Sequence, residues 1–246
     1  MSTRLPAKAL RPIFGISSIQ RCLINTLAIG RSQTSVLATS TNSEDDPLVD
    51  HTVNGRADVV RGSEADVLQR FLAAIDRHKA DIVIRVTGDC PSISYEIANI
   101  LLEAHLRSDA DLTYAVPGFP IGTGCEVYNA RALERLRLLL PETPYSEYLV
   151  LYFLNNPSYF KINPIDLPSF YLRNWRLTLD EQSDLDLFEY MFSELNIGWR
   201  AVSFPEIVSF FEKFPEAANI NIANKLRYIH DIDFVKHLKE VTTIQV

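Results

Sequence analysis

The chain has 246 residues, long enough to bury a core without disulfides or a structural metal. Asp and Glu outnumber Lys and Arg by 31 to 24, and the resulting charge of -7 argues against general nucleic-acid binding, which leaves a basic footprint. The longest uncharged run, Leu112 to Cys125, has 14 residues and two prolines, against the ~20 apolar residues of a spanning helix, so the sequence reads as a soluble protein with no membrane span.

Residues 1–43 contain no Asp or Glu but carry Arg4, Lys8, Arg11, Arg21 and Arg31. An acid-free, Ser/Thr-rich start marks either an organelle transit segment or the end of a folded domain that handles a polyanion such as a phosphate chain. A helix and a strand can be read inside this stretch, which favours the second reading. Ser17-Ser18 opens the helix, with Ile19, Cys22, Leu23 and Leu27 at helical spacing. A strand follows at Thr34–Thr39, then the polar cluster Ser40–Ser43, and Ala57–Val60 is a second strand.

Ser63 is expected to cap a helix that carries Val67, Leu68, Phe71, Leu72 and Ile75 on one face. Ile82–Val86 is a nearly continuous β-branched run, the pattern of a strand buried on both faces. It leads into Thr87-Gly-Asp-Cys-Pro91 and a helix through Ile97, Ile100, Leu101 and His105. Further strands are expected at Asp111–Ala115, Glu126–Tyr128 and Trp175–Leu179, and helices at Ala130–Leu140, Ser146–Leu154 and Ser183–Leu195. The alternation predicts an α/β fold: a mostly parallel sheet between two layers of helices. Residues 1–246 read as one domain with an excursion at about 141–170, either a lid or dimer arm or a segment whose aromatics fill the core.

Cys22, Cys90 and Cys125 are widely spaced without a CxxC pair, which suits buried thiols in a reducing, cytoplasmic compartment. The five histidines form no HExxH and no pair at helical spacing, so a histidine-ligated metal is not expected. No GxxxxGK[ST], GxGxxG or GxSxG occurs, which disfavours P-loop, dinucleotide-binding and serine-hydrolase readings.

In open α/β sheets ligands bind outside the carboxyl ends of the strands. Asp89 and Asp180 each follow such a strand end. Brought together, they form a hard-oxygen site suited to Mg²⁺, which uses one or two carboxylates plus substrate phosphates. A lone Asp at a strand end serves equally well as a helix N-cap, and both readings stand at this level. Arg4 and Lys8 flank Pro6, whose ring stiffens a loop able to grip phosphate oxygens.

Taken together, Ser2-Thr-Arg-Leu-Pro-Ala-Lys8, Ala38–Asp46, Arg61-Gly-Ser-Glu64, Asp66-Val67, Arg85–Pro91 and Arg176-Leu-Thr-Leu-Asp180 occur in an order that resembles the SpsF-type and acylneuraminate cytidylyltransferase family. The resemblance covers roughly residues 1–200 and loosens beyond. It implies a nucleotide-diphospho-sugar-transferase-like α/β/α sandwich and transfer of CMP from CTP to a sugar acid, with release of pyrophosphate. By match to the family's motifs, Arg4 and Lys8 hold the triphosphate, and Asp89 and Asp180 act as Mg²⁺ ligands. Thr39 and Ser40 fall where its loop nears the nucleotide, and Glu126 falls on its sugar-side strand. A homodimer is also implied, through the 141–170 excursion.

Three departures accompany the resemblance. The family usually has a strand and an Ala-Arg-Met turn before Ser-Thr-Arg, whereas this sequence begins inside that turn, which implies that a central strand and a phosphate-contacting arginine are missing from it. Ala7 replaces a common glycine, and Glu147-Tyr-Leu-Val150 replaces Glu-His-Val-Thr. The first and third departures keep open the reading of a non-catalytic binding or assembly subunit, and, because base contacts cannot be read from the sequence, an enzyme of another nucleoside triphosphate is a third reading.

Overall fold

In a computed structural model of the chain, residues 5–244 are described. A short hairpin, β1 (Pro12–Ile13) and β2 (Ile16–Ser17), leads into α1 (Ser18–Thr26). Ser17 caps α1, and its backbone N–H donates to Gln20 Oε1 at 3.4 Å, closing a capping box. β3 (Ser35–Ser40) and β4 (Ala57–Gly62) pair in parallel, Thr39 opposite Arg61 and Ser40 opposite Gly62.

α2 (Val67–His78) follows β4, and its cap differs from expectation. Asp66 is the N-cap, its carboxylate accepting from Gln69 N at 2.9 Å. Ser63 instead stays in the turn leaving β4, where its hydroxyl accepts from Asp66 N.

The larger sheet contains β5 (Ile82–Arg85), β6 (Leu112–Ala115), β7 (Glu126–Asn129) and β8 (Ile162–Ile165) in the order β5-β7-β6-β8. β8 runs parallel to β6, but β7 runs antiparallel to both of its neighbours. The mostly parallel expectation therefore holds for β3–β4 and β6–β8 and fails at β7. β7 returns from the loop after β6 and slots between β5 and β6, so its direction must reverse. Among the described residues β5 has a ladder partner on one side only. Ile82, Val83 and Ile84 are accordingly half-buried rather than buried on both faces as their sequence suggests.

Helices cover both faces. On one, α3 (Tyr95–Leu106) packs Ile97 and Leu101 against Ile82, Ile84, Val127 and Ala115. Ser94 caps this helix, its hydroxyl accepting from Ile97 N at 3.1 Å. On the other face, Val83, Leu112 and Tyr128 meet α2, α4 (Ala130–Leu139) and α5 (Leu149–Leu154). This opposite facing of Val83 and its neighbours is the period-2 alternation of a strand between two helical layers.

The 141–170 segment contributes α5 and the edge strand β8 to this architecture. Tyr152, Phe153 and Phe160 are buried with Tyr128, and the Tyr128 and Phe153 rings meet edge-on at 5.0 Å. Each such ring removes ~1.5–3 kcal/mol worth of apolar surface from water. Its aromatics at these three positions thus fill the core.

The chain closes with α6 (Gln182–Glu194), α7 (Phe204–Lys213), α8 (Arg227–His230) and α9 (Ile232–Thr242). Leu185, Phe188, Met191 and Phe192 of α6 pack with Ile207, Phe210 and Phe211 of α7 around Ile13 of β1. The expected strand at Trp175–Leu179 is an extended segment with one isolated bridge, Arg176 to Ile121. Leu177 N donates to Ile121 O at 2.7 Å and Leu179 N to Asp89 O at 2.8 Å. Both contacts are to loops, so no ladder can propagate. No described helix is long and apolar enough to cross a membrane.

Candidate active site

The carboxyl end of β5 and the extended 175–180 segment converge on one lysine. Leu179 N donates to the carbonyl of Asp89, which sets the two aspartate-bearing loops side by side. On its other side the 175–180 segment lies close against the loop after β6, where Gly122 makes room for it. The glycine's φ is +91°, and a Cβ there would sit 2.1 Å from Leu177 O.

Lys8 Nζ lies between the two carboxylates and donates to Asp89 Oδ2 and to Asp180 Oδ1, each at 2.9 Å. The contacts join residues 81 and 172 positions apart. Burial pulls the Lys8 pKa down, but the two aspartates outweigh it and raise the pKa above its ordinary value. Lys8 follows Ala7, whose φ of 52° lies in the left-handed region, and opens a single 3-10 turn, Lys8–Leu10. Left-handed backbone costs an alanine ~1–2 kcal/mol, the kind of strain that accumulates where a side chain must be aimed.

Neither aspartate caps a helix. Ser94 serves α3, and at α6 the N-cap is Glu181, with Asp184 closing the capping box. Asp180 sits just outside α6, its Oδ2 accepting from Arg176 Nη2 at 2.8 Å. Arg176 also donates from Nε to Asp184 Oδ1 at 2.9 Å. Asp184, fully buried, accepts in addition from Asp180 N, Glu181 N, Asn221 Nδ2 and Asn224 Nδ2, at 2.9 to 3.0 Å. The carboxylate of Asp180 is thus fixed from behind by a charged, hydrogen-bonded interior network.

Glu126 lies opposite Arg85 in the β5–β7 ladder, and Arg85 Nη1 donates to Glu126 Oε2 at 2.9 Å. Arg85 Nη2 also donates to the carbonyl of Glu147. Burial alone would lower the Arg85 pKa, but Glu126 drives it upward. Next along the chain, the half-buried Tyr148 meets Phe234 of α9 edge-on at 5.7 Å.

Thr39 and Ser40 lie at the carboxyl end of β3, both buried. The Ser40 hydroxyl donates to Asp45 Oδ2 at 2.5 Å and accepts from Asn42 N, so it builds the following loop. No hydrogen bond or ion pair among the described residues links Thr39 or Ser40 to the Lys8 cluster. Arg4 lies outside the described residues. Two surface clefts lie elsewhere, one about Thr34, Ser35 and Ala57 at the amino ends of β3 and β4, the other about Asp109, Arg135 and Lys161.

Sequence reasoning pairs Asp89 with Asp180 and assigns Lys8 to the phosphates, the structure joins these three, and the charged neighbours that sequence reasoning misses are Arg85, Arg176 and Asp184. The first two did leave a signal, since an arginine inside an apolar β run must find a buried partner. The donor set is hard oxygen, and a cation already bridges it, so two carboxylates supplemented by phosphate oxygens fit Mg²⁺.

The α/β fold thus brings Asp89, beyond the carboxyl end of β5, together with Asp180 of the extended 175–180 segment and with Lys8, a charge arrangement suited to the phosphates of a nucleotide. Residues 1–204 match the cytidylyltransferase family, and the chain belongs to it. It is 32% identical to the spore coat polysaccharide biosynthesis protein SpsF of Bacillus subtilis (strain 168) over 225 residues, covering 88% of this chain and 92% of that protein. Its fold is similar to that of a cytidylyltransferase from Leptospira borgpetersenii serovar Hardjo-bovis, with a TM-score of 0.79 at 24% identity, covering 92% and 94% of the two chains. It is also similar to that of CMP:2-keto-3-deoxy-manno-octonic acid synthetase complexed with CTP, with a TM-score of 0.59 at 17% identity, covering 79% and 95%.

Proposed function

We propose that this protein transfers CMP from CTP to the hydroxyl of a sugar acid of the acylneuraminate-like, 2-keto type, releasing pyrophosphate, in the synthesis of a surface polysaccharide or glycan. The observation that carries the reading is Lys8 Nζ at 2.9 Å from both Asp89 and Asp180, a compact arrangement of mixed charge at a strand-end position. The relative named for spore coat polysaccharide biosynthesis and the similar synthetase complexed with CTP support the choice of nucleotide and acceptor class.

Asp89 and Asp180 would hold Mg²⁺, which when bound neutralises charge on the phosphates. Nucleotidyl transfer depends on positioning and electrostatics more than on covalent help. Lys8, with Arg4, orients the triphosphate. Arg176 and Asp184 hold Asp180 in place. Glu126, fixed by Arg85, accepts hydrogen bonds from acceptor hydroxyls, while Thr39 and Ser40 shape the nucleotide side. The protein acts as a homodimer in the cytoplasm. Calorimetric titration with CTP, ATP, GTP and UTP, with and without Mg²⁺, tests the reading. Mg²⁺-dependent binding of CTP, lost in Asp180→Asn, is the expected result, and no binding of any nucleotide would overturn it.

A second reading, a non-catalytic binding or assembly subunit, draws on Tyr148, which replaces the histidine of the family's Glu-His-Val-Thr and packs on Phe234. Pyrophosphate release from CTP would exclude it.

A further inference from the structure

Five charged side chains are linked in series at the site: Lys8 to Asp89 and Asp180, Arg176 to Asp180 and Asp184. The two carboxylate oxygens that Lys8 bridges lie no farther apart than twice its 2.9 Å contact distance. A divalent ion of ~2.1 Å bond length that engages the same two oxygens competes with the ammonium for them. With the ion in its place the same carboxylates become neutralised without Lys8. The lysine is equipped to leave, because its side chain is 24% exposed and sits on a flexible four-carbon stem.

We propose that Lys8 is an exchangeable internal counter-ion: it holds Asp89 and Asp180 together in the metal-free protein, yields them to a divalent cation, and is thereby released toward the phosphates of the incoming nucleotide. Lysine and metal are mutually exclusive at the two carboxylates. The lysine therefore opposes metal binding in the absence of nucleotide and favours nucleotide binding in its presence. The two effects have opposite signs, which separates this role from that of a lysine that merely braces the loop. The inference rests on the reading of Asp89 and Asp180 as a cation site, but its test does not need catalysis.

Mn²⁺ alone is titrated into the full chain and into Lys8→Met and Lys8→Gln by electron paramagnetic resonance. Loss of two charge-assisted hydrogen bonds that compete with the metal should tighten Mn²⁺ binding by about ten-fold or more. In parallel, lysine acylation of the unaltered protein is read by mass spectrometry. Lys8 should be protected without metal and become reactive on addition of Mg²⁺ with no nucleotide present. Equal or weaker Mn²⁺ affinity in both variants, or a Lys8 footprint indifferent to saturating metal, would overturn the proposal. If the variants fail to fold, the acylation measurement decides alone. Metal exchange at Lys8 without any CTP binding would sustain this inference while sinking the cytidylyl-transfer reading.

Discussion

Arg176 and Asp184 form a two-point pair in the protein interior, Nε to Oδ1 at 2.9 Å and Nη2 to Oδ2 at 3.2 Å, and the same Nη2 reaches forward to Asp180 at 2.8 Å. One arginine thus ties a structural carboxylate to the candidate metal-binding one. Asp184→Asn turns acceptor oxygen into donor nitrogen among groups that already donate, and leaves Arg176 short of charge. Breaking a buried pair from one side costs ~3–5 kcal/mol. Urea denaturation should show that loss, and Mn²⁺ binding should weaken with it.

The Arg85–Glu126 pair, with side chains 8% and 21% exposed, gives a second test. Glu126→Ala strands the Arg85 charge and should cost several kcal/mol, about the same ~3–5 range. Arg85→Met combined with Glu126→Leu should regain most of that stability, since apolar replacement of a buried pair is often neutral. If Glu126 contacts the acceptor, the double variant is stable yet raises the KM for the sugar acid. An unchanged KM would remove Glu126 from the substrate side.

Gly122→Ala places a methyl group against Leu177 O at a left-handed backbone position. The 175–180 segment must move, so the variant should lose more than ~1 kcal/mol in thermal unfolding and bind metal more weakly. Wild-type stability and metal affinity together would show that the close approach is dispensable.

The cysteines should be inert in the folded protein. Burial pushes the Cys22 thiol up to about 12, with the Asp89 charge adding to it, and burial likewise raises Cys90 and Cys125. A thiol-reactive dye at neutral pH should label none of the three natively and all three in denaturant.

Glu206 sets an acid-range prediction. Burial alone would raise its pKa, but hydrogen bonds from Arg200 and Ser203 and the Arg200 charge hold it down to about 2, from an ordinary 4.5. A depressed carboxylate pKa contributes stability above the unfolded value and loses it as pH falls through the folded one. The contribution should therefore be complete above about pH 4.5 and fade toward pH 2. Glu206 closes the α7 capping box with Ser203 and is partly exposed, so Glu206→Gln should cost ~1 kcal/mol at neutral pH and little at pH 2.

Legibility in the sequence followed the range of the interactions involved. α1 was readable because Ser17-Ser18 and its apolar stripe lie within three turns, and Asp89 and Asp180 because each follows a strand-like segment. The reversal of β7 left no local mark, since Val127 would present the same face to either neighbour in either direction. The support of Asp180 was hidden for the same reason: Asn221 and Asn224 reach Asp184 from 37 and 40 residues away. The Trp175–Leu179 segment has strand composition, but its partners are loops, which composition cannot reveal.

The most direct test of cytidylyl transfer at the Lys8–Asp89–Asp180 cluster is pyrophosphate release from CTP with a panel of 2-keto sugar acids, for the unaltered protein and Asp180→Asn. Release should require CTP, Mg²⁺ and a sugar acid together and should fall at least about a hundred-fold in the variant. Equal release by Asp180→Asn, or none with any sugar acid, would contradict cytidylyl transfer there.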